Sequence, residues 1–389
     1  MNNIQKRHQA IDILEKLVSF QSISLQDNLA LMMWIKNYLA NFNIKASIIE
    51  HVAGKRVNLF ARIGPDTRDA IMLSGHSDVV PTKGQDWDSD PFKLTLRDQR
   101  LYARGSADMK GFLACVLACV DDFCKAPLNH PIWIAISCDE EIGCVGVRPM
   151  IEYLKTQNLH PKLIIVGEPT LMKPVLAHKG KLSCLCHCKG LAGHSAYASE
   201  LVSAIHLAND VITEIRHTQQ KLIENIEAHD RRFPIACSTL NIGTIKGGKA
   251  LNIVPEDCVF DFEIRHLPKN NPTDLLEPIL QKAAFLNHQY QHLKNAVTIE
   301  VMNAYPGLEQ KHDSKSVQLV KRLCASNEEH YVNFGTEAGL FQNMLASDCV
   351  VCGPGDIRVA HKSNEYIAVS QIDSCLTFLE NLNKYATHG

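Results

Sequence analysis

The chain has 389 residues, 46% hydrophobic and 21% charged, with 40 Lys and Arg against 42 Asp and Glu for a net charge of -2. At roughly 150 residues per domain that length predicts two or three domains, and the near-neutral balance argues against a nucleic-acid partner, which a basic excess would announce. The longest apolar run, Phe112–Val120, is far short of the roughly 20 residues that span a bilayer, and the N-terminal segment mixes acids into its apolar pattern without a small-residue cleavage site, so a cytoplasmic protein with no membrane partner is expected.

In chain order, apolar spacing predicts helices over Ile11–Val18 and Leu29–Leu39, then strands at Ser47–His51, Val57–Ile63 and Ile71–Ser74. A helix from Lys110 to Phe123, a strand at Ile132–Ser137, a helix near Val147–Lys155 and a strand at Lys162–Val166 follow. Short apolar strands alternating with helical patterns indicate an α/β sheet, largely parallel. Near residue 180 the texture changes. Strand Lys181–Lys189, helix Ser199–Arg216, strands Ser238–Thr244 and Cys258–Arg265, helix Thr273–Phe285 and strand Val297–Asn303 give a β-α-β-β-α-β order, the antiparallel ferredoxin-like plan. From about 313 the α/β texture returns with helix Ser314–Cys324, strand Asp348–Val351 and helix Gln371–Tyr385. The expectation is an α/β domain built from residues 1–179 and 305–389, interrupted by an α+β insert over 180–304.

Fourteen cysteines stand out in a chain that is expected to stay in the cytoplasm, where free thiols are the rule. Cys115 and Cys119, four apart in an apolar helical stretch, share a face and pack as small hydrophobes. Cys184, Cys186 and Cys188 alternate along a strand and line one side of it, with a thiolate metal cluster as the lesser alternative. Cys349 and Cys352 match C-x-x-C, but residues three apart on a strand face opposite sides, which is poor geometry for joint chelation.

The acids and histidines of the α/β half gather after its apolar strands. Ala70–Gly75 runs into His76-Ser77-Asp78, Ile132–Ser137 into Asp139-Glu140-Glu141, Leu163–Gly167 into Glu168, and Cys349–Val351 into Gly353-Pro354-Gly355-Asp356 and then His361. Open α/β sheets bind ligands at the carboxyl ends of their strands, so these ends predict a metal site. Asp108 joins them from a glycine-flanked turn, and a carboxylate there can bridge two cations. Imidazole and carboxylate donors without cysteine suit Zn, Co or Mn, and two metals sharing one ligand serve hydrolysis by clamping a hydroxide and a polarised carbonyl. Neighbours in extended chain point to opposite sides, so one of Glu140 and Glu141 can ligate while the other faces the attacking water as general base. Asp78, two residues after His76, can return to hydrogen-bond the imidazole and fix its tautomer. Any one such residue, taken alone, is more often a solvated or capping group; their joint placement carries the inference.

The motifs His76-Ser77-Asp78-Val79-Val80-Pro81, Gly105-Ser106-Ala107-Asp108-Met109-Lys110-Gly111, Asp139-Glu140-Glu141-Ile142-Gly143 and Gly167-Glu168-Pro169-Thr170 resemble the signatures of the di-zinc aminoacylase and deacetylase peptidases. The resemblance runs over nearly the whole chain, insert included. It implies two Zn2+ ions, with Co2+ active in their place: one held by His76, Asp108 and Glu168, the other by Asp108, Glu141 and His361. Glu140 would be the general acid/base and Asp78 the orienting residue. The resemblance also implies a homodimer, with the insert as lid and dimerisation module. His194, in Gly190-Leu191-Ala192-Gly193-His194-Ser195-Ala196, would then reach the partner's active site and stabilise the oxyanion, although on the residues alone it is a turn histidine.

Arg265 and Asn252 look like the family's substrate-carboxylate segment, the guanidinium offering a planar fork; an exposed strand Arg is the plain alternative. Phe334–Phe341 and Gly353–Ile367 look most like the branch that deacetylates N-acetyl-L-ornithine in arginine biosynthesis. A cationic ornithine side chain wants an acidic pocket residue, for which Glu337, beside Thr336, is the candidate, with a structural role equally open. Succinyl-diaminopimelate hydrolysis or a broader N-acyl-amino-acid deacylase is the alternative function. A non-catalytic dimeric binding module is remote, because every implied ligand and the base are intact. Gly243–Ala250 nearly satisfies a phosphate-binding loop but ends on Ala250 where a hydroxyl is required, and no G-x-S-x-G elbow appears.

Overall fold

The computed structural model describes residues 3–67 and 69–388. It divides into two compact units: one of residues up to Ala177, Leu308–His330 and from Thr336 on, the other of His178–Gly307 with Tyr331–Gly335.

The first unit is built on a mixed sheet. Its path begins with Ala46–Val52, Arg56–Ile63, Ile132–Ser137, Ile71–His76, Leu163–Pro169 and Asp348–Gly353. The last four run parallel to one another, while Ala46–Val52 and Arg56–Ile63 form an antiparallel edge. The sheet is therefore less uniformly parallel than the sequence pattern predicts. Every residue of Ile71–His76, Ile132–Ser137 and Leu163–Pro169 is buried, as expected of strands covered on both faces.

Helix Gly111–Ala118 is buried at all eight positions, which explains why its sequence is apolar all round. The single helix predicted from Lys110 to Phe123 is in fact this helix and a second, Val120–Lys125. Ahead of them Ser106–Lys110 forms an irregular turn in which Asp108 and Met109 leave helical geometry, and the Asp108–Met109 peptide bond is cis. Helix Val147–Thr156 buries Val147, Met150, Ile151 and Leu154, the spacing of one helical face. Three short strands, Thr95–Arg97, Arg100–Tyr102 and Tyr366–Ala368, make a separate small sheet; three residues are too few to show a period in sequence.

The second unit holds an antiparallel sheet in the order Thr239–Gly247, Asp257–His266, Gly180–Lys189, Val297–Tyr305. With helices Ala204–Glu224 and Pro272–Gln289 this is the ferredoxin-like plan. Burial alternates strictly along Gly180–Lys189 and Asp257–His266. Cys184, Cys186 and Cys188 therefore share one face with Cys258, Phe260, Phe262 and Ile264, packed against Leu207, Val211, Leu276 and Ile279 of the helices. The first helix begins at Ala204, later than its predicted start. Ser203 caps it by accepting the His206 N–H at 3.4 Å, a residue type favoured at that position because the first N–H groups lack helical partners.

Candidate metal centre

The carboxyl ends of the four parallel strands bring the sequence-derived donors of the first unit together. His76 closes its strand, Glu168 lies within Leu163–Pro169, Glu140 and Glu141 follow Ile132–Ser137, and His361 follows Asp348–Gly353. Backbone shape at these ends is demanding. Gly355 has φ 97°, in the region glycine favours. A Cβ on Gly167 would lie 2.1 Å from the Phe112 ring, so the residue before Glu168 has no room for a side chain.

Asp108 lies at the centre. Its Oδ1 is 3.1 Å from His76 Nε2 and its Oδ2 is 3.2 Å from His361 Nε2. His76 Nε2 is also 3.7 Å from Glu168 Oε1, and His361 Nε2 is 2.8 Å from Glu141 Oε2. Among the described residues two groups of donors lie close enough to hold a cation, His76–Asp108–Glu168 and Asp108–Glu141–His361, each with ligand atoms within 4.8 Å of one another. The two share Asp108, one oxygen facing each histidine.

The electrostatics fit that reading. Burial pushes Glu141 up to about 7 and Glu168 well above the usual carboxylate range. Burial acts the same way on Asp108, but hydrogen bonds from His361 and His76 overcome it and hold that carboxyl low. Hydrogen bonds to Asp108 and Glu141 raise His361 to about 10. His76 rises well above its ordinary value despite the opposing effect of burial, through Asp108 and Glu168. Three carboxylates in so small a volume need positive charge, and the two imidazoles are placed to give up their protons to a divalent cation.

Glu140 is half-buried beside this cluster. Burial pushes it up to about 8, the positive His76 opposing and Glu141 and Glu337 reinforcing. Its backbone is held by Asp78, whose Oδ1 accepts the Glu140 N–H at 3.0 Å and whose Oδ2 lies 3.4 Å from the Glu141 N. Asp78 thus differs from its expected geometry. The atom that fixes the His76 ring is the carbonyl oxygen of Asp78, 2.9 Å from Nδ1, while the carboxylate stands 3.6 Å away. The adjacent Asp139 turns away from the cluster, accepting from Leu25 N at 2.7 Å and Arg56 Nη1 at 2.5 Å.

Thr336 and Glu337 are both buried. The Thr336 hydroxyl accepts the Ala338 N–H at 3.1 Å. Glu337 is near enough to influence Glu140, and burial pushes it up to about 7, the Ser137 hydroxyl pulling it part of the way back. The remaining sequence-derived residues belong to the second unit. His194 is exposed, and its Nδ1 accepts the Ala196 N–H at 3.1 Å. Asn252 is exposed and accepts the Ser195 N–H through its carbonyl at 3.0 Å. Arg265 is half-buried, donating to Glu263 Oε1 at 3.0 Å and to Tyr305 Oη at 3.1 Å, so it is not a loose surface arginine.

Sequence reasoning passed over Arg56, Ser24 and Cys144. Ser24 donates to Asp78 Oδ2 at 2.8 Å and the Cys144 thiol to Glu140 Oε1 at 3.2 Å. Cys144 directly follows the Asp139–Gly143 motif, and that adjacency was its one visible signal. None of the 14 cysteines joins either donor group, and all are free.

An α/β sheet carrying two donor groups around one shared carboxylate defines a candidate two-cation centre, and the family and relatives that the chain matches make it a metal-dependent amidohydrolase. Residues 72–384 match the peptidase family M20/M25/M40, and the chain belongs to that family. It is 32% identical to an acetylornithine deacetylase of Pasteurella multocida, covering 92% of this chain and 91% of the relative. To the acetylornithine deacetylase of Myxococcus xanthus it is 34% identical, over 93% of each. Among solved structures, an M20 family metallo-carboxypeptidase from Sulfolobus solfataricus superposes with a TM-score of 0.76 at 18% identity, covering 97% of this chain and 99% of that one. A Bacillus subtilis protein described as a dinuclear metal binding peptidase of the M20 family gives 0.64 at 12% identity, over 99% of both.

Proposed function

We propose that the chain hydrolyses N-acetyl-L-ornithine to L-ornithine and acetate, the deacetylation step of arginine biosynthesis. The observation that carries the hydrolytic chemistry is the pair of donor groups meeting on Asp108 with Glu140 alongside; the relatives named acetylornithine deacetylase support the substrate. His76, Asp108 and Glu168 would hold one cation and Asp108, Glu141 and His361 a second. The imidazole and carboxylate donor set suits zinc, with cobalt able to replace it. When bound, two such cations polarise an amide carbonyl and acidify water.

The chain's own residues do the rest. Glu140, its backbone held by Asp78, takes the proton of the attacking water and delivers it to the nitrogen of the breaking C–N bond, so that the amine leaves neutral. The carbonyl of Asp78 keeps the His76 ring donating through Nδ1. For Arg265 we assign the α-carboxylate of the substrate, with Asn252 as a further polar contact, and for Thr336 and Glu337 the cationic end. For His194 we assign the oxyanion, supplied from the partner subunit of a homodimer whose pairing and closure the inserted unit provides.

The test is turnover of N-acetyl-L-ornithine, N-acetyl-L-methionine and N-succinyl-diaminopimelate by the purified chain, with zinc or cobalt and after chelation, alongside its mass in solution. Preference for acetylornithine, lost on chelation, is the expected result. Turnover indifferent to chelation overturns the mechanism, preference for the succinyl substrate overturns the substrate assignment, and a monomeric mass removes the role given to His194.

A further inference from the structure

Behind the donors lies a buried ion pair that the chemistry above does not use. Arg104 and Glu365 are each 1% exposed, with Nη1 2.7 Å from Oε2. Such a pair is weak evidence for stability, because desolvation of two charges offsets most of their attraction. Its remaining hydrogen bonds are more informative. Glu365 Oε1 accepts the backbone N–H groups of Ala107 at 2.9 Å and Asp108 at 3.0 Å. Arg104 donates through Nη1 to the Lys362 carbonyl at 3.2 Å and through Nη2 to Gln85 Oε1 at 2.6 Å. Gln85 Nε2 donates in turn to the carbonyl of His361 at 2.9 Å. The Arg104 guanidinium also lies over the Trp87 ring, 5.2 Å from its centroid.

The network therefore grips the chain at 107–108 and again at 361–362. These are the segments that carry Asp108 and His361, and neither lies in a sheet strand. His361 sits at φ 63° and Asp108 in the irregular turn Ser106–Lys110. His76 and Glu168, by contrast, belong to strands held by ladder hydrogen bonds on both sides. The sheet thus fixes two of the three donors of the first group, while His361, and Asp108 which both groups share, depend on something else.

We propose that Arg104, Glu365 and Gln85 are positioning residues for the Asp108–Glu141–His361 group, setting the separation of the shared carboxylate from His361 and with it chiefly the affinity of that group, two of whose donors they hold, for its cation. The inference rests on the two-cation reading above. Partners that orient metal ligands typically contribute about 10–100-fold to metal affinity. The loss should fall on the second cation, with the first, anchored by His76 and Glu168, changed less than about 3-fold.

The experiment is Co2+ titration of the metal-free full-length chain by calorimetry and by the visible absorption of bound cobalt. Wild type is compared with Arg104→Lys, which keeps the charge but loses the fork, and with Gln85→Ala, at a half-buried position that the core does not need. Arg7→Ala, which breaks the distant pair with Asp373, controls for general loss of stability. Wild type should bind two ions. Arg104→Lys and Gln85→Ala should bind one with near-native affinity and the second at least about 10-fold more weakly, while Arg7→Ala binds both normally whatever its melting temperature. A wild type that binds two while Gln85→Ala matches it at both steps overturns this inference alone. Equal weakening of both ions in Arg104→Lys and Gln85→Ala, or weakening that Arg7→Ala reproduces, also overturns it. A wild type that binds fewer than two removes the two-cation reading, and this inference with it.

Discussion

Replacement of Asp78 by Ala tests how the loop bearing Glu140 is held. The carboxylate of Asp78 accepts two close hydrogen bonds, from Ser24 Oγ at 2.8 Å and Glu140 N at 3.0 Å, and a longer one from Glu141 N at 3.4 Å. It does so at 3% exposure, where water cannot replace a lost partner. Hydrogen bonds to a charged acceptor contribute about 1.5–3 kcal/mol each, so losing the two close ones costs about 3–6 kcal/mol. Asp78→Asn keeps one acceptor oxygen and should lose about half as much. Urea unfolding reads the effect as a lower midpoint at unchanged slope, since compactness is not altered. Misplacing a catalytic group by an ångström costs on the order of 100-fold in rate, and deacetylation by Asp78→Ala should fall by about that much. An Asp78→Ala chain within about 0.5 kcal/mol of wild type, the range of a neutral surface change, and with full turnover would show that Asp78 does not hold Glu140.

Four further outcomes are expected. Because a Cβ at position 167 would overlap the Phe112 ring, Gly167→Ala should destabilise by about 1–3 kcal/mol and weaken metal binding through Glu168, read by thermal unfolding with and without cobalt. Chelation should lower the melting temperature, and cation at about 100 times its dissociation constant should restore about 2.7 kcal/mol for each site filled, about 5.4 kcal/mol for two; an unshifted melting curve contradicts two cation sites. Glu337 has a folded-state value of about 7, above its ordinary 4.5, so the folded metal-free chain prefers the protonated form. Its stability is full below about pH 4 and falls as pH rises through 7, by on the order of 3 kcal/mol. Glu337→Gln, which stays neutral, should therefore gain over wild type at pH 8 and not at pH 4, judged by urea midpoints at both. Finally, a thiol reagent should modify the exposed Cys124 first and leave bound metal in place, since the other thiols are buried or half-buried; early loss of metal would implicate a cysteine at the centre.

The strand ends were legible in the sequence because an apolar run followed at once by His, Asp or Glu is a local pattern, and sheet geometry sends the ends of parallel strands to one place. Asp108 was legible through its flanking glycines and Glu140-Glu141 through the alternation of extended chain. Most of the helix–strand order of both units follows from period, but the helix Ala338–Leu345, the strand Val175–His178 and short pieces such as Thr95–Arg97 and Arg100–Tyr102 escaped it.

What lay beyond the sequence were the contacts between residues far apart along it. Nothing local marks Ser24 as a partner of Asp78, 54 residues away, or Arg104 as the partner of Glu365, 261 residues away. The direction of each side chain at the strand ends was equally hidden: Asp139 turns to Arg56 while Glu140 and Glu141 stand at the donor cluster, and the His76 ring gives its Nδ1 hydrogen bond to a backbone carbonyl. The sequence by itself determined which chemical groups gather and on which strands. Tertiary structure decided which atoms hold them in place, because hydrogen bonds form between groups that folding brings together and leave no period or spacing in the chain.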